Sequence, residues 1–228
     1  MPVFTPTGEL DPFLHVSLRR GESIYCESDA MVMMEANLEL RGQMQGGFLS
    51  ALTRRLANGE SFFQQHIRAE RGDGDCLLAP MMPGGIEVLD VGKSQYNLND
   101  GAYLAATSGV SLTARMQNIG SALFAGTGGF LIGQTAGEGQ LVVNGFGTLF
   151  TLDVTADNPV IIDNGHVVAW DSRLHYELSV TTGASRGMLG NLVNSVTSGE
   201  AVVLKFSGSG KVILCSRNAN SFRSWAKQ

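Results

Sequence analysis

Charge is scarce in this chain. Asp, Glu, Lys and Arg make up 16% of its 228 residues, and 16 Lys+Arg against 21 Asp+Glu leave a net charge of −5. Proteins that hold nucleic acid through its phosphates usually carry a basic face. The balance therefore weighs against DNA as the expected partner, unless a local basic patch is hidden in it. Aromatic residues are only 7%, which disfavours stacking-type RNA recognition, since that needs aromatics interleaved with basic residues. No apolar run reaches the roughly 18–20 residues of a membrane-spanning helix; the longest, Leu141 to Val154, is broken by Gly145 and Gly147. The first residues hold no basic stretch followed by an apolar one, so no secretory signal is read there. Three cysteines, Cys26, Cys76 and Cys215, are widely scattered with no CxxC, which fits reduced structural thiols in a cytoplasmic protein.

What is abundant is glycine, 29 residues against 6 prolines. Glycine in excess without collagen periodicity marks many tight turns between short strands. The turns recur. Segments opening at Gly21, Gly101 and Gly165 each run through a short apolar stretch to a serine seven positions on, at Ser28, Ser108 and Ser172. Apolar and polar residues then alternate, as at Leu174, Tyr176 and Leu178, which is the period of a half-buried strand. Further on, Gly72/Gly74, Gly137/Gly139 and Gly208/Gly210 each form a Gly-x-Gly between two apolar strands. The chain is built from a threefold internal repeat.

This repetition decides the meaning of "RGDGDCLL", Arg71 to Leu78, which resembles a cation loop or an adhesion tripeptide. The residue between the glycines is Asp73 in the first copy, Glu138 in the second and Ser209 in the third. A calcium loop needs several converging oxygen ligands, whereas a hairpin turn needs only glycine at positive φ and a small polar tip. All three copies meet the second requirement, so the stretch is read as a hairpin-type turn. Methionines Met31 and Met33 are placed on one strand face, as core filling.

The connections between the two halves of each repeat differ. The first, around Phe48, Leu49, Leu52 and Leu56, has helical spacing and adjacent Arg54 and Arg55; the third has Met188, Leu189, Leu192 and Val196; the second is glycine-rich. Short amphipathic segments of this kind cap a β-layer. Arg54 and Arg55, present only in the first copy, are the candidate contact for an anion, a partner or a membrane surface.

Catalytic and cofactor patterns are absent. The histidines His15, His66, His166 and His175 lack metal-ligand spacing such as H-E-x-x-H. There is no G-x-S-x-G elbow, and "GTGGF" from Gly126 is not followed by the Lys-Ser/Thr of a phosphate loop. Glu22, Glu60 and Glu200 each follow a glycine, and a residue reused at equivalent positions serves a fold better than an active site, whose parts need different roles. No catalytic residue, metal or cofactor is assigned.

A family resemblance then becomes specific. "GGFLSALTRRLANGESFF", "LAPMMPGGIEVLDV", "GAYLAATSGV", "DNGHVVAWDSRLHYEL" and the closing "GEAVVLKFSGSGKVILCSRN" resemble successive landmarks of the altered-inheritance-of-mitochondria, or mitochondrial biogenesis, family, from about Phe13 to Arg217. The resemblance implies a fold like the trp RNA-binding attenuation protein, a β-helix-like arrangement of antiparallel strands. It implies no catalytic residues and no settled biochemical role. The arginine-poor start departs from a mitochondrial presequence, so import is not carried over.

The expectation is a mainly β, single domain over 1–228, with three pseudo-symmetric antiparallel repeats (17–95, 96–158 and 159–220) closing around a pseudo-threefold axis. The function expected is a non-enzymatic, self-associating scaffold or interaction protein, a homo-oligomer through exposed β-edges. The alternative is a binding module for a small ligand, RNA or an anionic membrane surface.

Overall fold

The computed structural model describes residues 1–42, 64–117, 130–180 and 202–227. These are mainly β. Strand β1 (Val3–Thr7) is followed by three consecutive groups of six. The first is β2 (Phe13–Leu18), β3 (Ser23–Glu27), β4 (Met31–Met34), β5 (Leu38–Gly42), β6 (Gln64–Ala69) and β7 (Gly74–Leu78). The second is β8 (Gly84–Val91), β9 (Tyr96–Leu98), β10 (Tyr103–Thr107), β11 (Val110–Gln117), β12 (Phe130–Gly137) and β13 (Gly139–Phe146). The third is β14 (Leu149–Val154), β15 (Val160–Asp163), β16 (Val167–Asp171), β17 (His175–Val180), β18 (Val202–Ser207) and β19 (Gly210–Cys215). A short helix, Ala219–Trp225, follows, capped by the Asn218 side chain. No helix among the described residues is long and apolar enough to cross a membrane.

The pairing rule is the same in every group. The last strand of the group pairs with its first and third (β7 with β2 and β4, β13 with β8 and β10, β19 with β14 and β16). The fifth pairs with its second and fourth (β6 with β3 and β5, β12 with β9 and β11, β18 with β15 and β17). Groups are then stitched together edge to edge: β3 pairs with β10, and β9 with β16. Four antiparallel sheets result, in the orders β1-β2-β7-β4, β5-β6-β3-β10-β13-β8, β11-β12-β9-β16-β19-β14 and β15-β18-β17.

Three cores fill the spaces between successive sheets. The first joins Leu14, Val16 and Leu78 of the first sheet to Ile24, Ile67, Leu104 and Val142 of the second. The second joins Tyr103, Leu141 and Val143 to Leu98, Ala169 and Ile213. The third joins Trp170 and Val212 to Leu204 and Phe206, with the Trp170 ring edge-on to Phe206 and Tyr176 at centroid distances of 5.7 and 5.1 Å. In the two middle sheets the residues of one strand thus divide between two cores. That is why β10 (YLAAT) and β16 (VVAWD) are buried throughout, while β7 of the first sheet alternates between buried and half-buried residues.

Several sequence expectations change here. The Gly-x-Gly turns are not hairpins, because the strands on either side lie in different sheets: β6 and β7, β12 and β13, and β18 and β19 never pair with each other. They are crossovers, with Gly137, Gly139 and Gly208 at φ of 95°, 146° and 101°. The first copy is also displaced by one strand. The strand after Gly21 is β3, which pairs with β10 rather than standing in its place, and β4 is the counterpart of β10 and β16. The left-handed position held by Gly101 (φ 75°) is filled in the first copy by Asp29 (φ 69°), a residue type that tolerates this region. Groups accordingly span 13–78, 84–146 and 149–215, not the expected boundaries. Finally, a bulge between Met31 and Met33 separates the two methionines. Met31 and Met34 pack on the first core, while Val32 and Met33 face outward. The same bulge stands between Tyr103 and Ala105 and between Val167 and Ala169.

Gly139 combines a positive φ with Thr107 Oγ1 in the place of any Cβ, and that oxygen accepts the Gln140 N–H at 2.9 Å. Gly139→Ala should cost roughly 2–3 kcal/mol in chemical denaturation, against about 1 kcal/mol for Gly21→Ala, which has open space around it.

At the end of β3, burial and then the carboxylates of Asp100 and Asp29 push the Glu27 carboxyl up to about 7. Its proton is held more tightly folded than unfolded, so its stabilising contribution is complete below the ordinary value of 4.5 and is lost as pH rises through about 7. Glu27→Gln should raise the thermal midpoint by a few degrees at about pH 8 and leave it unchanged at about pH 4. Thermal melts across that range measure it.

Candidate functional site

Polar side chains gather on the outward face of the first sheet. Antiparallel pairing sets His15 opposite Leu77 and Ser17 opposite Asp75. Alternation therefore sends Leu14, Val16, Leu18, Cys76 and Leu78 into the first core and His15, Ser17 and Asp75 away from it. His15 Nε2 lies 3.7 Å from the Asp75 carboxylate. Beside them opens a cavity of about 360 Å³, lined in part by Val3, Arg19, Glu35, Asp73 and Asp75.

The carboxylates here hold the backbone together. Asp73 Oδ1 accepts the Arg20 N–H at 2.7 Å, and its carbonyl accepts Asn37 Nδ2 at 3.1 Å. Glu35 Oε2 accepts the Asp75 N–H at 3.1 Å, and the Arg71 guanidinium donates to the Ala36 carbonyl. Asp73 of "RGDGDCLL" and Glu35 thus brace a crossover against its neighbouring turns. Among the described residues no three His, Cys, Asp or Glu side chains are grouped to hold a metal ion.

The histidines are dispersed. His66 stacks on Tyr25 with ring centroids 4.9 Å apart, and burial followed by Arg68 and Arg41 holds its pKa below the ordinary value. His166 Nδ1 is 2.8 Å from the Cys215 carbonyl, and His175 Nε2 is 3.4 Å from Glu177. Asp163 caps the Gly165 N–H at 2.8 Å. Asp171 pairs with Arg173 at 2.6 Å, and that hydrogen bond holds its carboxyl below the usual range. All three cysteines are buried and unbridged; burial pushes the thiols of Cys26 and Cys76 up to about 12, far from the reactive range. Arg54 and Arg55, like Glu60, Glu200 and the helical stripes of the connections, lie outside the described residues.

Sequence reasoning missed a different feature. Besides residues near the N-terminus, in a turn and in the final helix, such as Leu10, Met81 and Trp225, large apolar side chains are exposed at Phe13, Val32 and Met33 on the first sheet, at Phe150 on the edge strand β14 of the third and at Ile161 on the edge strand β15 of the fourth. The signal was present in the repeat itself, because the counterparts of Val32 and Met33 in later copies are buried. Recognising it required the copies to be aligned on the bulge instead of on glycine.

Comparison with known proteins places this architecture. The family model described as mitochondrial biogenesis AIM24 matches residues 4–217. An uncharacterized protein of Streptococcus pyogenes serotype M6, M6_Spy0233, is 35% identical over 225 residues, covering 95% of this chain and 86% of the relative. The crystal structure of protein SPYM3_0169 from Streptococcus pyogenes is similar with a TM-score of 0.82 and 32% identity, covering 100% of this chain and 99% of that one. A family match across nearly the whole length, a relative above 30% identity and a shared fold agree: the chain belongs to the mitochondrial biogenesis AIM24 family.

Proposed function

We propose that this protein is a non-enzymatic scaffold that works by self-association. The observation that carries this reading is the placement of exposed apolar side chains at both ends of the sheet series, Val32 and Met33 at one and Phe150 and Ile161 at the other. Large apolar groups clustered on a surface mark contact sites, and strands left at sheet edges invite further pairing. A cytoplasmic setting is part of the proposal, supported by three buried thiols without a disulfide. Arg54 and Arg55 are proposed as an auxiliary contact for an anionic partner or membrane surface, because only the first copy of the connection carries them.

Light scattering over a concentration series tests the main reading. The expected result is a mass rising above the 24.3 kDa of one chain as concentration increases; a strict monomer whose melting temperature rises sharply with a small ligand would overturn it in favour of a binding module. For the arginines, Arg54→Ala with Arg55→Ala should weaken sedimentation with anionic vesicles. Unchanged vesicle binding, oligomer size and melting temperature would reduce the pair to solvated surface.

A further inference from the structure

Each group of six strands uses its second strand to reach the third strand of the next group. The two internal junctions share one register. At the first, Ile24, Tyr25 and Cys26 face Thr107, Ala106 and Ala105; at the second, Tyr96, Asn97 and Leu98 face Asp171, Trp170 and Ala169. A third junction of the same kind would join β15, the second strand of the last group, to β4, the third strand of the first. Among the described residues β15 pairs only with β18, and β4 only with β7. The fourth sheet, β17-β18-β15, and the first, β4-β7-β2-β1, are the two halves that the middle sheets hold joined.

We infer that β15 of one copy pairs antiparallel with β4 of a second copy, continuing the repeat from chain to chain. This rests on the self-association proposed above and names its surface. The register is fixed by the repeat. The residue pairs Met33–Leu77, Ala105–Val142 and Ala169–Ile213 stand just beyond the bulge in each copy. They make Met33, Ala105 and Ala169 equivalent, and likewise Met34, Ala106 and Trp170. On the other side, Tyr25, Asn97 and Ile161 are opposite His66, Gln134 and Lys205, and these three lie one residue before the partners of Leu40, Leu112 and Tyr176. The missing junction therefore sets Ile161 opposite Met34, Ile162 opposite Met33 and Val160 opposite Glu35.

Burial supports the same partner. Leu104, Ala105, Val168 and Ala169, which enter the core of the preceding group, are at most 3% exposed. Their counterparts in the first group, Val32 and Met33, have no preceding group and are 54% and 42% exposed. At the other end Ile161 is 67% exposed and Phe150 63%, where a fourth group would cover them. The two ends differ, and each lacks what the other supplies. Such a contact is head-to-tail, so it generates a ring or a filament instead of a two-fold dimer. Main-chain hydrogen bonds supply affinity, as in other strand additions.

Two measurements test it. First, chains carrying Ile161→Cys and chains carrying Met34→Cys are mixed and mildly oxidised. A disulfide between unlike chains is expected, because directly opposed residues have closely spaced Cβ atoms, while Met33→Cys, on the opposite face, should not cross-link to Ile161→Cys. Second, Ile161→Lys should shift the association midpoint seen by light scattering at least roughly tenfold, a charge on an edge strand opposing pairing, with the melting temperature of the unassociated chain unchanged. Assembly that persists in Ile161→Lys, or cross-links only between like chains, overturns this register and leaves self-association standing. A parent chain that is monomeric at every concentration overturns both.

Discussion

The edge-to-edge pairing of β3 with β10 and of β9 with β16 is what the remaining architecture depends on. A single group of six strands is a thin sandwich, with a three-stranded layer on either side of one core. Joined through these junctions, the half-layers become six-stranded sheets that bury both faces, and one sheet serves two cores at once. Apolar burial contributes on the order of 25 cal/mol per Å², so covering the second face of a sheet is a large gain for a chain of this size. The bulge that recurs in the third strand of each group makes this possible, because it redirects consecutive residues: Tyr103 and Ala106 enter one core, Leu104 and Ala105 the other.

Burying both faces leaves polar groups in the interior, and several of these are satisfied locally. Thr135 Oγ1 accepts the Tyr96 N–H at 2.8 Å and donates to Gln95 Oε1 at 2.9 Å. Asn144 Nδ2 lies 3.3 Å from the carbonyls of Gly101 and Ala102. These bonds lie within the second group, joining β12 to the start of β9 and β13 to the turn before β10, where an unpaired polar atom would cost about 1–3 kcal/mol. The polar interior therefore reinforces the register that the apolar interior requires.

Much of this was legible in the sequence. Alternation at Leu174, Tyr176 and Leu178 announced a strand with one packed face, and the three Gly-x-Gly motifs marked the turns that lead into the last strand of each group. What escaped was long-range. A Gly-x-Gly joins two strands whether they pair or diverge, and only their partners, tens of residues away, decide between hairpin and crossover. Asp29 does the work of Gly101 because Asp also reaches the left-handed region, so aligning on glycine moved the first copy by one strand. A bulge adds no distinctive residue type, so Met31 and Met33 read as neighbours on one face although they point apart. The first sheet shows the same limit: Asp73 was visible as a turn residue, but the exposure of Val32 and Met33 depended on the bulge.

The junctions also bear on how the chain reaches its folded state. Cys26 must find Ala105, and Leu98 must find Ala169, across separations far longer than any hairpin. Within groups the closing pairs are distant too, as Leu18 with Gly74 or Val154 with Gly210. Loop closure over such spans precedes any reward from contacts, so topologies of this kind fold slowly. On a ribosome, where the start of a chain emerges first, the first group would wait with one edge of β3 unpaired until β10 had been synthesised. Its second core partner arrives later still. The nascent protein therefore passes through a stage in which an apolar strand edge stands open, and its speed of synthesis and the chaperones at hand decide what that edge meets first.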